Sequence, residues 1–304
     1  MLFALLLACS KPASKTIDTT DEQVASQPSL TPPENGVNTF AYDGLERQFR
    51  VHIPNNLPAD APLVIVMHGF TSSAQIIEAY SRMNAVADEH GFVVAYPQGT
   101  KDASGNTFFN VGYEFHESNG VDDIGFLHAL IEYLQQSLSL SSRNVFSTGM
   151  SNGGDMSYML AFQSDVVRAI APVAGCMMKH IYDTCTPTKP VPVLEIHGTR
   201  DSITLVDGDI ENQEGWGSYM PLEDTIQFWV NHNQLELSDV VDIADTNTGD
   251  GSTVIHHRYY SQTGHTEVWL YEVVGGGHDW PGAFGNQDID ASSLAWQFFS
   301  RYLE

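Results

Sequence analysis

Five short apolar runs constrain the fold of this 304-residue sequence more than any other feature. Runs of this kind, rich in β-branched residues and closing on glycine, are typical of strands buried on both faces. Apolar residues at helical spacing lie between several of them. This alternation predicts one α/β domain, with a mostly parallel central sheet and helices on both faces. The runs are PLVIVMHG (62–69), GFVVAYPQG (91–99), NVFSTG (144–149), RAIAPVAG (168–175) and VPVLEIHG (191–198).

The rest of the chain adds antiparallel edges and covering helices. An Asp43-Gly44 turn predicts a hairpin within residues 40–54, and alternating patterns in 253–260 and 267–274 predict a second pair of strands. Residues 98–120 read as a long polar loop. Helices are predicted over residues 73–90, 121–138, 153–162, 221–232 and 291–303.

The N-terminal residues differ from the rest of the chain. Leu2 to Ala8 is an apolar run that ends in Leu6-Leu7-Ala8-Cys9 and resembles the tail of a bacterial lipoprotein signal, in which the cysteine is lipidated. No Lys or Arg precedes the run, so a frayed apolar terminus is the alternative. We predict a signal remnant over 1–9, a disordered linker over 10–38 and a catalytic domain over 39–304, exported or held at the cell envelope.

The charge balance excludes several classes of partner. The sequence has 38 acidic and 13 basic residues, for a formal net charge of −25. Binding to nucleic acid or to an anionic membrane surface needs clustered positive charge, so we expect neither, and membrane attachment only through the N-terminal lipid. No C-x-x-C pair or His/Cys cluster is present, so we expect no metal and no cofactor.

The chain has three cysteines, at positions 9, 176 and 185. If Cys9 is lipidated, Cys176 and Cys185 remain as a pair within one loop-rich stretch. In an exported protein this spacing favours a disulfide between them, with two buried free thiols as the alternative.

Residues 149–153 read Gly-Met-Ser-Asn-Gly and match the pattern G-x-S-x-G. At average composition this pattern occurs by chance in roughly one 300-residue chain in ten. Here it lies between a predicted buried strand and a predicted helix. A serine that merely caps the helix would not explain glycines on both sides of it. We therefore predict that Ser151 is a nucleophile on a sharp strand–turn–helix.

A serine nucleophile needs a base and an acid, and chain position selects them. His278 lies in GGGHDWPG, after the last predicted strand and before the last helix. Asp201 lies just beyond the carboxyl end of a buried strand, where open α/β sheets carry their sites. The order Ser151, Asp201, His278 is the order found in α/β-hydrolases. Less well placed alternatives are His197, His256, His257 and His265 for the base, and Asp123, Asp207, Asp209 and Asp224 for the acid.

The oxyanion of an acyl-transfer intermediate needs two N–H donors. Asn152 follows the nucleophile and supplies one by position. The other is expected from the loop after residues 62–69, at Phe70 or else at Thr71.

Six motifs in order resemble one known family. VMHGF, YPQG, GVDDIGFL, GMSNGG, IHGTRD and GGGHDWPG are similar to those of the polyhydroxybutyrate depolymerase and feruloyl-esterase-like family of α/β-hydrolases. The resemblance implies a secreted or envelope serine esterase, with Ser151, Asp201 and His278 as the triad and Phe70 and Asn152 as oxyanion donors. It leaves the ester open, and polymeric esters are included.

The pocket is less well defined than the triad. Trp280, Tyr113 and Trp216 could line an acyl or aromatic-ring pocket, or could pack in ordinary loops. The alternatives to an esterase are a peptidase or acyltransferase with the same triad, and a polymer-binding protein on a hydrolase scaffold.

Overall fold

A ten-stranded sheet forms the centre of the molecule in the computed structural model, which describes residues 31–116 and 120–304. The strand order across this sheet is β1-β2-β4-β3-β7-β8-β9-β12-β11-β10, and β5 and β6 form a separate two-stranded sheet. The strands are β1 (Gly36–Tyr42), β2 (Leu45–His52), β3 (Leu63–Met67), β4 (Val93–Pro97), β5 (Thr100–Lys101), β6 (Thr107–Phe108), β7 (Val145–Met150), β8 (Ala169–Val173), β9 (Val193–Gly198), β10 (Leu237–Asp242), β11 (Thr253–Tyr260) and β12 (Val268–Val274).

Pairing is parallel in the middle of the sheet, from β4 to β12, and antiparallel at both edges. Strands β3, β4 and β8 are buried at every position, because helices cover both faces. The α/β class and the mostly parallel sheet predicted from the sequence are confirmed.

Two hydrophobic cores flank the sheet, one on each face. Helices α3, α4 and α6 pack on one face and α1, α2 and α7 on the other. The helices are α1 (Ala74–Ser81), α2 (Met83–His90), α3 (Asp123–Leu138), α4 (Asn152–Gln163), α5 (Lys179–Thr184), α6 (Leu222–His232) and α7 (Ala291–Ser300).

Local structure departs from the sequence prediction in several places, among them α5, β5 and β6, which were not predicted. The helix predicted over residues 73–90 is two helices, because Arg82 between them is left-handed with φ 55°. Strand β10 was not predicted, since it is an exposed edge strand with little apolar alternation. Strand β1 begins at Gly36, three residues inside the segment predicted as linker.

The predicted signal remnant and most of the predicted linker lie outside the described residues, as does Cys9 with its predicted lipid. Among the residues that the structure describes, none of the helices has the length and apolar character needed to cross a bilayer.

The predicted disulfide between Cys176 and Cys185 is wrong, because Cys176 is a buried free thiol. Cys176 follows β8 and lines a cavity beside Asp155, which accepts its backbone N–H at 2.7 Å. Cys185 lies at the end of α5. Burial and the neighbouring Asp155 carboxyl raise the pKa of the Cys176 thiol, which disfavours the reactive thiolate.

Candidate active site

Ser151 occupies a strained turn between β7 and α4. Its backbone angles are φ 55° and ψ −123°, a combination that non-glycine residues rarely adopt and that costs on the order of 1–3 kcal/mol. The Ser151 N–H donates to the Val173 carbonyl at 2.9 Å, which ties the turn to β8. This is the geometry of the strand–turn–helix predicted from the sequence, and α4 directs its N-terminal N–H groups at the same point.

The glycines of the motif are required by close packing against β3. A Cβ added at Gly153 would lie 2.3 Å from the Met67 carbonyl oxygen, and one at Gly149 would lie 2.6 Å from the Gly153 carbonyl carbon. Helix α4 therefore reaches the sheet only because neither position carries a side chain. The strained serine and the two glycines form one unit of local structure.

One N–H group beside Ser151 is available to an oxyanion from the loop after β3. A Cβ on Gly69 would lie 3.4 Å from the Ser151 Cβ, so this loop runs next to the nucleophile. The Thr71 N–H donates to the Thr107 carbonyl at 2.8 Å and is occupied. The Phe70 N–H has no acceptor within the described ranges, so of the two predicted donors in this loop it is the one with a free N–H.

His68 holds the Phe70 peptide in a fixed orientation. Its Nε2 faces the Gly99 N–H at 3.0 Å, so it carries no hydrogen, and Nδ1–H donates to the Gly69 carbonyl at 2.7 Å. In a trans peptide the Gly69 carbonyl and the Phe70 N–H point in opposite directions. Burial lowers the pKa of His68 to about 4, so the ring stays neutral.

Both the backbone and the side chain of Asn152 contribute to the site, and the sequence predicted only the contribution of the backbone. Its backbone N–H lies in the first turn of α4, where N–H groups lack intrahelical partners. Its buried side chain accepts the Phe109 N–H at 2.7 Å and donates to the Phe109 carbonyl at 3.0 Å. The side chain thus fixes the 98–120 loop against the nucleophile.

The structure brings the predicted base and acid together. The His278 Nδ1 lies 2.7 Å from the Asp201 Oδ2, although 77 residues separate them. The Asp201 Oδ1 accepts the N–H groups of Ile203 and Thr204 at 2.8 and 2.9 Å. Burial by itself would raise the pKa of Asp201. The hydrogen bond and charge of His278, together with these N–H donors, outweigh burial and lower the pKa.

Ser151 and His278 do not share a hydrogen bond within the described part of the chain. With Nδ1 hydrogen-bonded to a carboxylate, the His278 Nε2 is left as the basic nitrogen. Burial raises the pKa of Asp155, in the first turn of α4, and the nearby charge of His278 opposes part of that rise. Hydrogen bonds between nucleophile and base are often long before substrate binds.

Of the alternative acids, Asp123 and Asp209 have other partners. Asp123 is buried, forms an ion pair with Arg47 at 2.5 Å and accepts the Asn110 N–H at 2.7 Å. Through these contacts it braces the 98–120 loop. Asp209 accepts two N–H groups of its own loop, at 2.8 Å each.

A cavity of about 310 Å³, including its open mouth, lies beside Ser151. Tyr113 and Trp216, both predicted to bind substrate, line it and pack against each other with ring centroids 5.3 Å apart. Both also contact the Phe70 ring. The cavity is lined by Tyr113, Ser151, Asp155, Cys176, Ile203, Thr204, Trp216 and Tyr219.

The prediction for Trp280 is wrong. Its side chain is 1% exposed and packs in the core formed by α1, α2 and α7, with Nε1–H donating to the Ser292 hydroxyl at 3.2 Å. The loop that carries His278 turns inward immediately after it, so the large ring anchors the loop and does not line the cavity.

Sequence reasoning missed two buried carboxyls near the site. Asp155, four residues after Ser151, accepts the Tyr113 hydroxyl at 2.6 Å, and burial raises its pKa to about 6. Glu195 lies within the apolar strand β9 and pairs with His197 at 3.1 Å. A charged residue in a fully buried strand is the signal that could have found Glu195.

The chain is similar to known esterases and to a polyester depolymerase. The model of a family described as esterase PHB depolymerase matches residues 51–222. Feruloyl esterase B from Piromyces equi is 27% identical over 76% of this chain and 42% of its own length. Poly(3-hydroxyalkanoate) depolymerase C from Paucimonas lemoignei is 26% identical over 81% of this chain and 61% of its own.

The solved acetyl xylan esterase from Aspergillus awamori superposes with a TM-score of 0.61 at 14% identity, over 88% of this chain and all of that one. At that identity the likeness concerns the fold alone, and the fold is the α/β-hydrolase fold predicted from the sequence. The chain spans less than two thirds of the two curated relatives' length. Because the family model matches more than half of it, the chain belongs to the esterase PHB depolymerase family.

Proposed function

We propose that this protein is a serine carboxylic ester hydrolase. The observation that carries the proposal is the position of Ser151, which has a strained backbone and lines a cavity at the start of α4. In the same chain, His278 is hydrogen-bonded to the buried Asp201. Ser151 is the nucleophile, His278 the base and Asp201 the acid that fixes the imidazole tautomer. The Phe70 and Asn152 N–H groups receive the oxyanion. Family membership supports ester hydrolysis as the reaction class.

The reaction proceeds in two acyl-transfer steps. The Ser151 Oγ forms a bond to the ester carbonyl carbon while its proton passes to the His278 Nε2. The tetrahedral intermediate collapses, the bond to the alcohol breaks, and His278 returns the proton to the leaving oxygen. Water then attacks the acyl-enzyme with His278 again as base, which releases the carboxylic acid and restores the Ser151 hydroxyl.

The cavity and the net charge favour a neutral ester with a short or aromatic acyl group. Tyr113, Trp216 and Ile203 present apolar surface beside Ser151, and Ile203 is 48% exposed at the mouth. The negative charge of the protein disfavours polyanionic polymers. The names of the similar proteins give feruloyl esters, acetyl xylan and poly(3-hydroxyalkanoate) as substrates. We propose that the substrate of this protein is a feruloyl or acetyl ester of a polysaccharide, or a polyester.

The test replaces Ser151 and follows both activity and labelling. Ser151→Ala is expected to lower kcat for p-nitrophenyl acetate by about 10⁴-fold or more, and to abolish labelling by a fluorophosphonate probe. Thermal unfolding should change little. Ser300→Ala, at the far end of α7, is the matched control and should retain full activity. Retained turnover in Ser151→Ala would overturn the proposal, and a panel of methyl ferulate, acetylated xylan and polyhydroxybutyrate identifies the ester.

We propose further that the protein is exported and that Cys9 carries a lipid, on the basis of the Leu6-Leu7-Ala8-Cys9 pattern alone. Expression of the chain with its native leader in a bacterial host should give palmitate incorporation that Cys9→Ser abolishes. Equal labelling of the two chains would remove the anchor from the proposal and leave the esterase unaffected.

A further inference from the structure

We propose that Glu195 and His197 are positioning residues of this site, in which His197 carries a buried positive charge that holds Asp201 as a carboxylate facing His278. The inference rests on the proposed function, since it assigns these residues a role in the same reaction. It concerns a chain of four side chains, His278, Asp201, His197 and Glu195, of which only the first two belong to the triad.

The tautomer of His197 follows from its partners. Its Nε2 lies 2.9 Å from the Thr204 carbonyl oxygen, which can only accept a hydrogen bond. Nε2 therefore carries a hydrogen. Its Nδ1 lies 3.1 Å from the Glu195 Oε1, so a single proton lies between imidazole and carboxyl. Either His197 is an imidazolium facing a carboxylate, or a neutral ring faces a protonated Glu195.

The surroundings of Glu195 favour the ionised pair. The Tyr158 hydroxyl donates to Oε2 at 2.8 Å, and the Gly175 N–H donates to Oε1 at 3.3 Å. Together with His197 these make three donors around one carboxyl, which stabilises the carboxylate. Burial alone would lower the pKa of His197, but its hydrogen bond and charge interaction with Glu195 raise it. Burial also raises the pKa of the Glu195 carboxyl, to about 7, in spite of its donors. We assign the proton to His197 because three donors surround that carboxyl and the Thr204 carbonyl accepts from the ring.

The charge on His197 acts on the acid of the triad. Its Nε2 lies 3.6 Å from the Asp201 Oδ2, the same oxygen that faces His278. That separation is too long for a hydrogen bond, but a charge interaction across it is strong in a buried site. His197 also holds the loop through the Thr204 carbonyl, while the Thr204 N–H caps Asp201. One ring thus fixes both the charge and the position of the acid.

Other ionisable groups face the pair from the surrounding elements. Tyr158 and Asp155 approach from α4, and Cys176 approaches from the segment after β8. Asp155 and Cys176 add no positive charge. Glu272, the register partner of His197 on β12, adds no positive charge either. Burial raises the pKa of Asp201, whereas the hydrogen bond and charge of His278 and the charge of His197 lower it.

A purely structural explanation accounts poorly for the pair. Ion pairs buried in a core are weak contributors to stability, and apolar residues of similar volume often stabilise the fold as well or better. Glu195 and His197 are both almost fully buried within a strand that is otherwise apolar. A role in setting the charge around Asp201 gives a reason for their presence.

Glu195→Gln tests the charge with little change in volume. Without the Glu195 carboxylate, His197 should become neutral with Nε2 still protonated. The negative charge of Asp201 is then no longer offset by His197 and should stabilise the protonated form of His278 more strongly. The acid limb of kcat/KM against pH is then expected to move up by about one unit, which lowers activity about ten-fold at pH 6 and little at pH 9. KM should stay unchanged. Tyr158→Phe, which removes one hydrogen-bond donor from Glu195, should also move the acid limb of the pH profile to higher pH, but by a smaller amount.

Asp88→Asn is the matched control, because Asp88 on α2 pairs with His52 on β2 at 2.7 Å, on the opposite half of the sheet from β9. It should leave the pH profile unchanged. Nitrogen-15 NMR of the histidine rings should show both His197 nitrogens protonated at pH 7 in the native protein and one in Glu195→Gln. A neutral His197 in the native protein, or a uniform loss of activity with an unshifted profile, would overturn the proposal. Absence of hydrolysis by the native protein would instead refute the proposed function.

Discussion

Two His-Gly dipeptides, His68-Gly69 and His197-Gly198, lie at the ends of buried strands near Ser151. The His68 imidazole is neutral, whereas we assign a positive charge to the His197 imidazole. His68 lies between backbone groups, with the Gly99 N–H at one nitrogen and the Gly69 carbonyl at the other. His197 lies between Glu195 and the Thr204 carbonyl, close to Asp201. A backbone N–H facing a ring nitrogen keeps the first ring neutral, whereas a carboxylate makes the second a cation.

The comparison teaches that burial alone does not decide the charge of a histidine. Desolvation lowers the pKa of both rings, and only His197 has a carboxylate that reverses the direction. The neutral ring suits a peptide that must present an N–H to an oxyanion. The charged ring suits a carboxylate that must remain ionised beside a base.

The two glycines of these dipeptides should differ most when a methyl group is added. A Cβ on Gly198 would lie 2.3 Å from the Gly277 carbonyl oxygen and 2.5 Å from that of Gly276, in the loop that carries His278. Gly198→Ala should therefore lower the free energy of unfolding by about 4 kcal/mol, or prevent folding. Gly69→Ala is the control and should cost less than about 1 kcal/mol, since its Cβ meets Ser151 at an ordinary 3.4 Å. Equal decreases in the free energy of unfolding of Gly198→Ala and Gly69→Ala, measured with urea, would contradict this account.

His68→Asn should reveal the neutral ring through the pH dependence of stability. Because the pKa of His68 falls from 6.5 unfolded to about 4 folded, only the unfolded state takes up the proton between these values. The native protein should lose about 3 kcal/mol through His68 as the pH drops from 6.5 to 4. The variant should lack that part of the slope. If the unfolding free energies of the native protein and of His68→Asn fell equally between pH 6.5 and 4, the His68 ring would be protonated in the folded state.

Much of the site could be predicted because its chemistry follows local or ordered patterns. Ser151 was identifiable from glycines that the contact with Met67 requires, and His278 and Asp201 from their places after β12 and β9. Trp280 was misassigned because aromatic residues in a loop carry no sign of which face they turn to. Cys176 was misassigned because sequence spacing does not report the direction of a side chain.

The sequence by itself determined the sheet, the sharp turn at Ser151 and the chain order of the proposed triad, because apolar periodicity and glycine sterics act over a few neighbouring residues. It could not distinguish His68 from His197, which both precede glycine at the end of a buried strand. Tertiary structure decided that difference by placing the Gly99 N–H beside one ring, and the Glu195 carboxyl and the Thr204 carbonyl beside the other. The charge of a buried histidine depends on which groups face its two ring nitrogens, and the folded chain sets that even for a partner as near in sequence as Glu195.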